Sequence, residues 1–176
     1  MPDSSAERTA PRVIHRVGVG TDLHRLEPGR RLVLGGVEIP FHRGLAGHSD
    51  ADVVLHAVID ALCGAAGLPD IGEQFPDSDP EFRGADSAVL LARVMERIGA
   101  RGLDVVNVDV VVHAEQPKLS AYKSAMQARL AGLLGVRPQD VSVKAKTNEG
   151  LDAVGRGEAI ACTAVAGLGR RGIGEP

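Results

Sequence analysis

At 176 residues with 44% hydrophobic side chains, the chain is long enough for one domain with a core, and its composition excludes a disordered protein. A formal net charge of -3 gives no broad electrostatic reason to bind nucleic acid, and no apolar run approaches the length of a membrane span. Aromatic residues make up 2%, so the core must be built from Val, Leu, Ile and Ala.

Met1 to Arg12 is polar, lacks the apolar segment of a secretory signal and is expected to be a disordered tail. Val13 to Asp22 reads as a first strand, and Arg31 to Pro40 as a hairpin turning at Gly35-Gly36. Ser49 can cap a helix from about Asp50 to Ala66, with Asp52 three residues on, close to a capping box, and Gly67-Leu68-Pro69 stops it. Asp70 to Arg83 is the longest irregular segment, and loops of that length are usually functional or mobile. A second helix begins near Asp86-Ser87 with the apolar stripe Leu90, Leu91, Val94 and Ile98. Leu103 to Ala114 is a β-branched strand. Lys118 to Leu134 reads as a third helix, buried through Leu119, Tyr122, Met126, Leu130 and Leu133. Val141 to Lys146 alternates as a half-buried strand, and Glu158 to Leu168 is a last strand of small apolar residues. This order predicts an α/β (α+β) sandwich: helices packed on one face of a mixed sheet, one domain over 13–168, and a fraying tail from Gly169 to Pro176. Cys63 and Cys162 lie in apolar stretches and read as buried structural thiols, which fits a reducing compartment.

Asp22 and His24 are two apart, so on a strand both point to one face. His48, Asp52, His56 and Asp60 recur every four residues, a narrow polar stripe on an otherwise apolar helix. Such a stripe is either the solvent face of the helix or a set of groups that find partners, with Asp52 and Asp60 orienting the imidazoles. Asp22, His24 and His56 together offer two imidazoles and a carboxylate, the donor set of an open zinc site with a position free for substrate or water. No Gly-Lys-Ser/Thr loop, dinucleotide fingerprint or Gly-x-Ser-x-Gly elbow is present, which counts against an NTPase, a Rossmann dehydrogenase and a serine hydrolase. All four lysines, Lys118, Lys123, Lys144 and Lys146, lie in the second half. Lys118, at a strand-to-helix junction, suits an anion. Lys146-Thr147-Asn148-Glu149 and Gly155-Arg156-Gly157-Glu158 end or precede strands, where ordinary turn chemistry and phosphate binding are both open. Glu149 can hold a hard cation such as magnesium, cap a turn, or pair with a base.

These blocks, with Gly20-Thr-Asp-Leu-His24, Leu34-Gly-Gly-Val-Glu-Ile-Pro40, Gly47 to Ala57, Asp70-Ile-Gly72, Phe75 to Pro80, Gly84-Ala-Asp-Ser87 and Gln116-Pro-Lys118, resemble the methylerythritol cyclodiphosphate synthases of the non-mevalonate isoprenoid pathway. The resemblance spans roughly Val13 to Leu168. It implies a cytoplasmic bacterial homotrimer with active sites shared between subunits. Its members convert 4-diphosphocytidyl-2-C-methyl-D-erythritol 2-phosphate to the 2,4-cyclic diphosphate and CMP. It implies zinc on Asp22, His24 and His56, with the substrate β-phosphate at the open position, and a second divalent ion, magnesium or manganese, near Glu149. His48 and Thr147 match positions of transition-state stabilisation. Substrate contacts are implied at Asp22, Leu23, His24, His48 and Ser49. Asp70, Ile71 and Gly72, with Phe75, Pro76, Asp77, Ser78 and Asp79, match the stretch around the methylerythritol. Ala114, Glu115, Gln116, Pro117, Lys118, Leu119 and Ser120 match the cytidine pocket, used largely through backbone groups. Lys146, Thr147, Asn148, Glu149 and Arg156 complete the phosphate site. The chain departs from the family pattern at Lys146, where a hydroxyl is usual, and at Ala153, a substrate-shaping position usually filled by a bulky residue near the trimer's central cavity. Two other readings stay beside it: a zinc-dependent phosphohydrolase on the same scaffold, and a non-enzymatic trimer that binds an isoprenoid diphosphate.

Overall fold

The computed structural model describes residues 13–76, 78, 79, 82 and 84–171. The expected N-terminal tail, Asp77 and the last five residues of the expected C-terminal tail lie outside the described residues.

A long strand, β1 (Arg16–Pro28), alternates along its length: Gly18 and Gly20 are buried, while Val17 and Val19 are exposed. It runs well past the expected Asp22, because its polar second half, His24, Arg25 and Glu27, hides a strand whose backbone is fully paired. Then come β2 (Leu32–Leu34) and β3 (Val37–Ile39), the expected hairpin, turning at Gly35 and Gly36, both with positive φ. A short β4 (Arg43–Leu45), not foreseen, pairs with the end of β1.

Helix α1 (Val53–Ala66) is capped by Asp52, not Ser49. The chain reaches it through Ala51 at φ 57, and the Ser49 hydroxyl oxygen accepts from Ala51 N instead of from the first turn of the helix. The fully buried Asp52 carboxylate accepts from Val54 N and Leu55 N and also from Gly35 N and Gly36 N, so one side chain fastens the hairpin turn to the helix start. Burial pushes that carboxyl up to about 6, against the pull of the Gly36, Gly35 and Leu55 N–H groups. Gly67, left-handed, ends the helix as expected.

A short helix α2 (Ile71–Gln74) interrupts the segment expected to be irregular, capped by Asp70. Helix α3 (Ser87–Ala100) buries Leu90, Leu91, Val94 and Ile98, the expected stripe. β5 (Leu103–His113) follows, then α4 (Lys123–Leu134), β6 (Val141–Lys146), a one-turn α5 (Asp152–Gly155) and β7 (Ala159–Arg170). α4 starts five residues later than expected. Leu119 is buried and a turn closes from Leu119 O to Tyr122 N before the helix begins, so Lys118 lies in a loop and not at a helix N-terminus. β7 continues through Gly169 and Arg170, two residues into the expected tail, because both pair with β5.

The main sheet has the order β4-β1-β7-β5-β6, antiparallel except for the parallel β5–β6 pair. α1, α3 and α4 pack on one face, and the core lies between them and the sheet. The opposite face leaves Val17, Val19, Leu23 and Val165 exposed. Cys63 and Cys162 are buried and free, as expected, and burial raises both thiols.

Candidate metal centre

The site begins where α1 lies on β1. A Cβ on Gly20 would stand 2.1 Å from Ala57 O, and one on Gly18 would stand 2.0 Å from Ala61 O. Only glycines on the strand permit that approach. It brings His56, in the first turn of α1, to the face of β1 from which Asp22 and His24 project. One ligand atom from each of the three lies within 4.8 Å of the others. His56 Nδ1 and His24 Nε2 are each 2.9 Å from Asp22 Oδ2, and the two nitrogens are 3.2 Å apart.

Second contacts decide which nitrogen faces inward. His24 Nδ1 is 2.7 Å from Ala46 O, and a carbonyl only accepts, so Nδ1 carries the proton and Nε2 offers its lone pair. His56 Nε2 is 2.9 Å from Ser87 Oγ and 3.1 Å from Ser49 Oγ. Asp52 and Asp60 do not orient the imidazoles. Asp52 is committed to backbone N–H groups, and Asp60 accepts from Ile71 N. Ser87 stood in the sequence as part of Gly84-Ala-Asp-Ser87, but nothing in its spacing tied it to His56, 31 positions away.

The donor set fits zinc. Bond lengths of about 2.0–2.1 Å around a tetrahedral ion put neighbouring ligand atoms roughly 3.3 Å apart. The three atoms here are spaced at 2.9, 2.9 and 3.2 Å.

Burial raises the Asp22 carboxyl, but in the metal-free site, where a charged imidazole donates to it, hydrogen bonds to His24 and His56 and their charges outweigh burial and hold it well below its ordinary 3.8; neutral imidazoles with their lone pairs turned inward would give no such pull. A depressed carboxyl binds fewer protons folded than unfolded, so its stabilisation is present above about pH 4 and lost as pH falls further. Stability to urea of the metal-stripped protein should therefore fall from about pH 4 toward pH 2, with a shallower slope in Asp22→Asn. Equal slopes would show that the carboxylate makes no such contact.

The triad lies in a pocket of about 410 Å³ with His48, Ser49, Ile71, Gly72, Phe75 and Pro76, all expected site residues, and with Phe82 and Leu90, which were not foreseen. Ser78 and Asp79 do not line it. The other described residues of the expected site lie elsewhere. Leu23 points to the open face of the sheet, where it lines a second pocket with His113, Asn148 and Ala153. In the sheet, Leu23 pairs with Ala161, which pairs with His113, which pairs with Lys146. Thr147 Oγ1 donates to Glu149 Oε1 at 2.7 Å, and Asn148 bridges His113 and Asp152. Lys118 Nζ donates to Glu115 O at 3.3 Å, and Arg156 grips Glu158 through two bonds. The chain by itself thus holds two separate sets: the metal pocket, and the loops around 114–120 and 146–156.

The YgbB family model matches residues 15–169. The 2-C-methyl-D-erythritol 2,4-cyclodiphosphate synthase of Desulfosudis oleivorans is 58% identical over 151 residues, covering 86% of this chain and 90% of that one. The enzyme of the same description from Bordetella avium is 56% identical over 156 residues, covering 89% and 96%. Among solved structures, a 2C-methyl-D-erythritol-2,4-cyclodiphosphate synthase in its CDP-bound form superposes with a TM-score of 0.81 at 40% identity, covering 87% of this chain and 99% of that one. A CDP complex from Plasmodium falciparum superposes at 0.79 with 32% identity, covering 89% and 97%.

Proposed function

The chain belongs to the YgbB family, and from that premise we propose how it works. It is a cyclodiphosphate-forming lyase: it converts 4-diphosphocytidyl-2-C-methyl-D-erythritol 2-phosphate to 2-C-methyl-D-erythritol 2,4-cyclodiphosphate with release of CMP, a step of isoprenoid synthesis. The observation that carries the reading is the convergence of the Asp22, His24 and His56 ligand atoms inside a pocket large enough for a phosphorylated polyol.

The 2-phosphate oxygen attacks the β-phosphorus, a phosphorus–oxygen bond forms, and the bond to CMP breaks. Such a transfer asks for positioning and charge neutralisation and needs no protein nucleophile. Asp22, His24 and His56 would hold zinc, which polarises a phosphate oxygen and neutralises its charge. Glu149 would hold a second divalent ion, magnesium or manganese. Ile71, Gly72, Phe75 and Pro76 enclose the methylerythritol part and exclude water. His48, on the pocket wall, and Thr147 stabilise charge that develops on the transferring phosphate. Residues 114–120 receive the cytidine, and Lys146 and Arg156 add cationic charge beside its diphosphate.

One chain does not bring these sets together, and its sheet has an apolar open face with Val17, Val19, Leu23 and Val165 exposed. Covering that face with neighbouring copies removes apolar surface from water and sets the loops of one subunit against the metal pocket of the next. The assembly is a homotrimer with shared sites. None of the described helices is long and apolar enough to cross a membrane, and we place the enzyme in the cytoplasm.

The test is phosphorus NMR of the purified protein with the diphosphocytidyl substrate and magnesium, before and after zinc is stripped. CMP and a cyclic diphosphate should appear only with zinc. Inorganic phosphate instead would make the chain a phosphohydrolase. A prenyl diphosphate bound without any turnover would make it a binding protein.

A further inference from the structure

We propose that Ser87 and Asp50 form a hydrogen-bond relay that fixes the His56 imidazole with its proton on Nε2, so that the Nδ1 lone pair is the one presented to the metal. The inference rests on the metal-site reading above.

The relay has a direction that the donors and acceptors impose. An ionised carboxylate only accepts. Asp50 accepts from Ser87 N at 3.2 Å through Oδ2, and its Oδ1 accepts from the Ser87 hydroxyl. The Ser87 proton is thereby committed to Asp50. Its oxygen, 2.9 Å from His56 Nε2, is left to accept, so Nε2 must donate. Nδ1 then carries a lone pair, and it is Nδ1 that faces Asp22 and His24. His24 reaches the same state by a simpler route, donating from Nδ1 to Ala46 O. The two imidazoles use opposite nitrogens as ligands, and each is fixed by the partner of the other nitrogen.

The relay is also mechanically braced. Ser87 is fully buried and is the first residue of α3, whose N-cap Asp86 accepts from Ala88 N. Asp50 N donates to Ala85 O at 3.1 Å, and Gly84 N donates to His48 O at 2.7 Å. The segment before α1 and the segment before α3 are therefore laced together beside the metal ligand. Ser87 and Asp50 are positioning residues that act through His56.

The test uses the full chain, zinc ion and a competing chelator, with ¹⁵N-labelled histidine observed by NMR in the zinc-loaded protein. In the wild type the His56 Nε2 proton should exchange slowly with water and Nδ1 should show the shift of a metal-bound nitrogen. Ser87→Ala should weaken zinc binding about tenfold to a hundredfold and speed exchange of the Nε2 proton, as expected for loss of an outer partner of a ligating imidazole. Asp50→Asn keeps the volume but puts an N–H donor in place of one of the two accepting oxygens, so that either Ser87 N or the Ser87 hydroxyl loses its acceptor, and should act in the same direction. It carries the test if the buried Ser87→Ala does not fold. Folded variants with wild-type zinc affinity and an unmoved Nε2 proton would overturn the relay and leave the metal site standing. A wild-type chain that binds no zinc would remove the metal site and the relay together.

Discussion

His56→Ala is expected to lose zinc and to lower turnover on the order of 10³-fold, the scale of removing a principal source of transition-state charge stabilisation, while the chain still folds. The side chain is a small part of the core. It lies at the inner edge of the pocket, 13% exposed, and its contacts are to Asp22, His24, Ser49 and Ser87, all polar. Its loss removes one of the three ligand atoms and leaves Asp22 and His24, which are too few for a stable zinc site. The folding cost is that of one donor lost to the buried Ser87 oxygen, which keeps its bond to Asp50, about 1 kcal/mol. Metal analysis, urea unfolding in chelator and phosphorus NMR turnover would read the three effects separately. A variant holding one zinc per chain at full activity would remove His56 from the ligand set.

Gly20→Ala is expected to damage fold and site together, by about 3 kcal/mol of stability and by a parallel loss of zinc affinity. The new Cβ would lie 2.1 Å from Ala57 O and 2.5 Å from Ala61 N, both backbone atoms of α1. No side-chain rotation relieves this, so the helix must lift from the strand by more than an ångström. That displacement separates His56, on the helix, from Asp22 and His24, on the strand. Gly132→Ala is the comparison. A Cβ there meets nothing within 4 Å, and in the interior of α4 the exchange should stabilise by roughly 0.5–1 kcal/mol. Thermal unfolding and chelator competition on the two variants give the contrast. A Gly20→Ala protein as stable as wild type, with unchanged zinc affinity, would mean that the close approach does not set the site.

The parts of this structure that could be read from the sequence are those that local chemistry decides. The α3 stripe followed from a 3.6-residue period, and the pairing of Asp22 with His24 on one face followed from the two-residue period of a strand. The cap of α1 was ambiguous locally, since Ser49 and Asp52 are both good caps. The choice is settled by Gly35 and Gly36, whose N–H groups arrive from a hairpin and also need Asp52. Ser87 is likewise a long-range matter, as is the separation of the expected site into two sets. The helix expected from Lys118 starts only at Lys123, because the chain first buries Leu119 and closes a turn from Tyr122 N to Leu119 O. The second half of β1 was hidden because one of its faces carries the site, so its residues are polar where a strand usually shows apolar alternation.

β1 also restricts how the gene can change. Successive residues on it face opposite ways, and the row from Gly18 to His24 uses both sides: glycines and metal ligands toward α1, Val19 and Leu23 toward the open face. Substitutions can be sampled there one position at a time. Loss or gain of a single codon between Gly20 and Asp22 would turn Asp22 and His24 away from His56 and drive Leu23 toward it, and one between Asp22 and His24 would split the two ligands between opposite faces. This stretch should therefore keep its length across every lineage that keeps the activity, even where its letters drift.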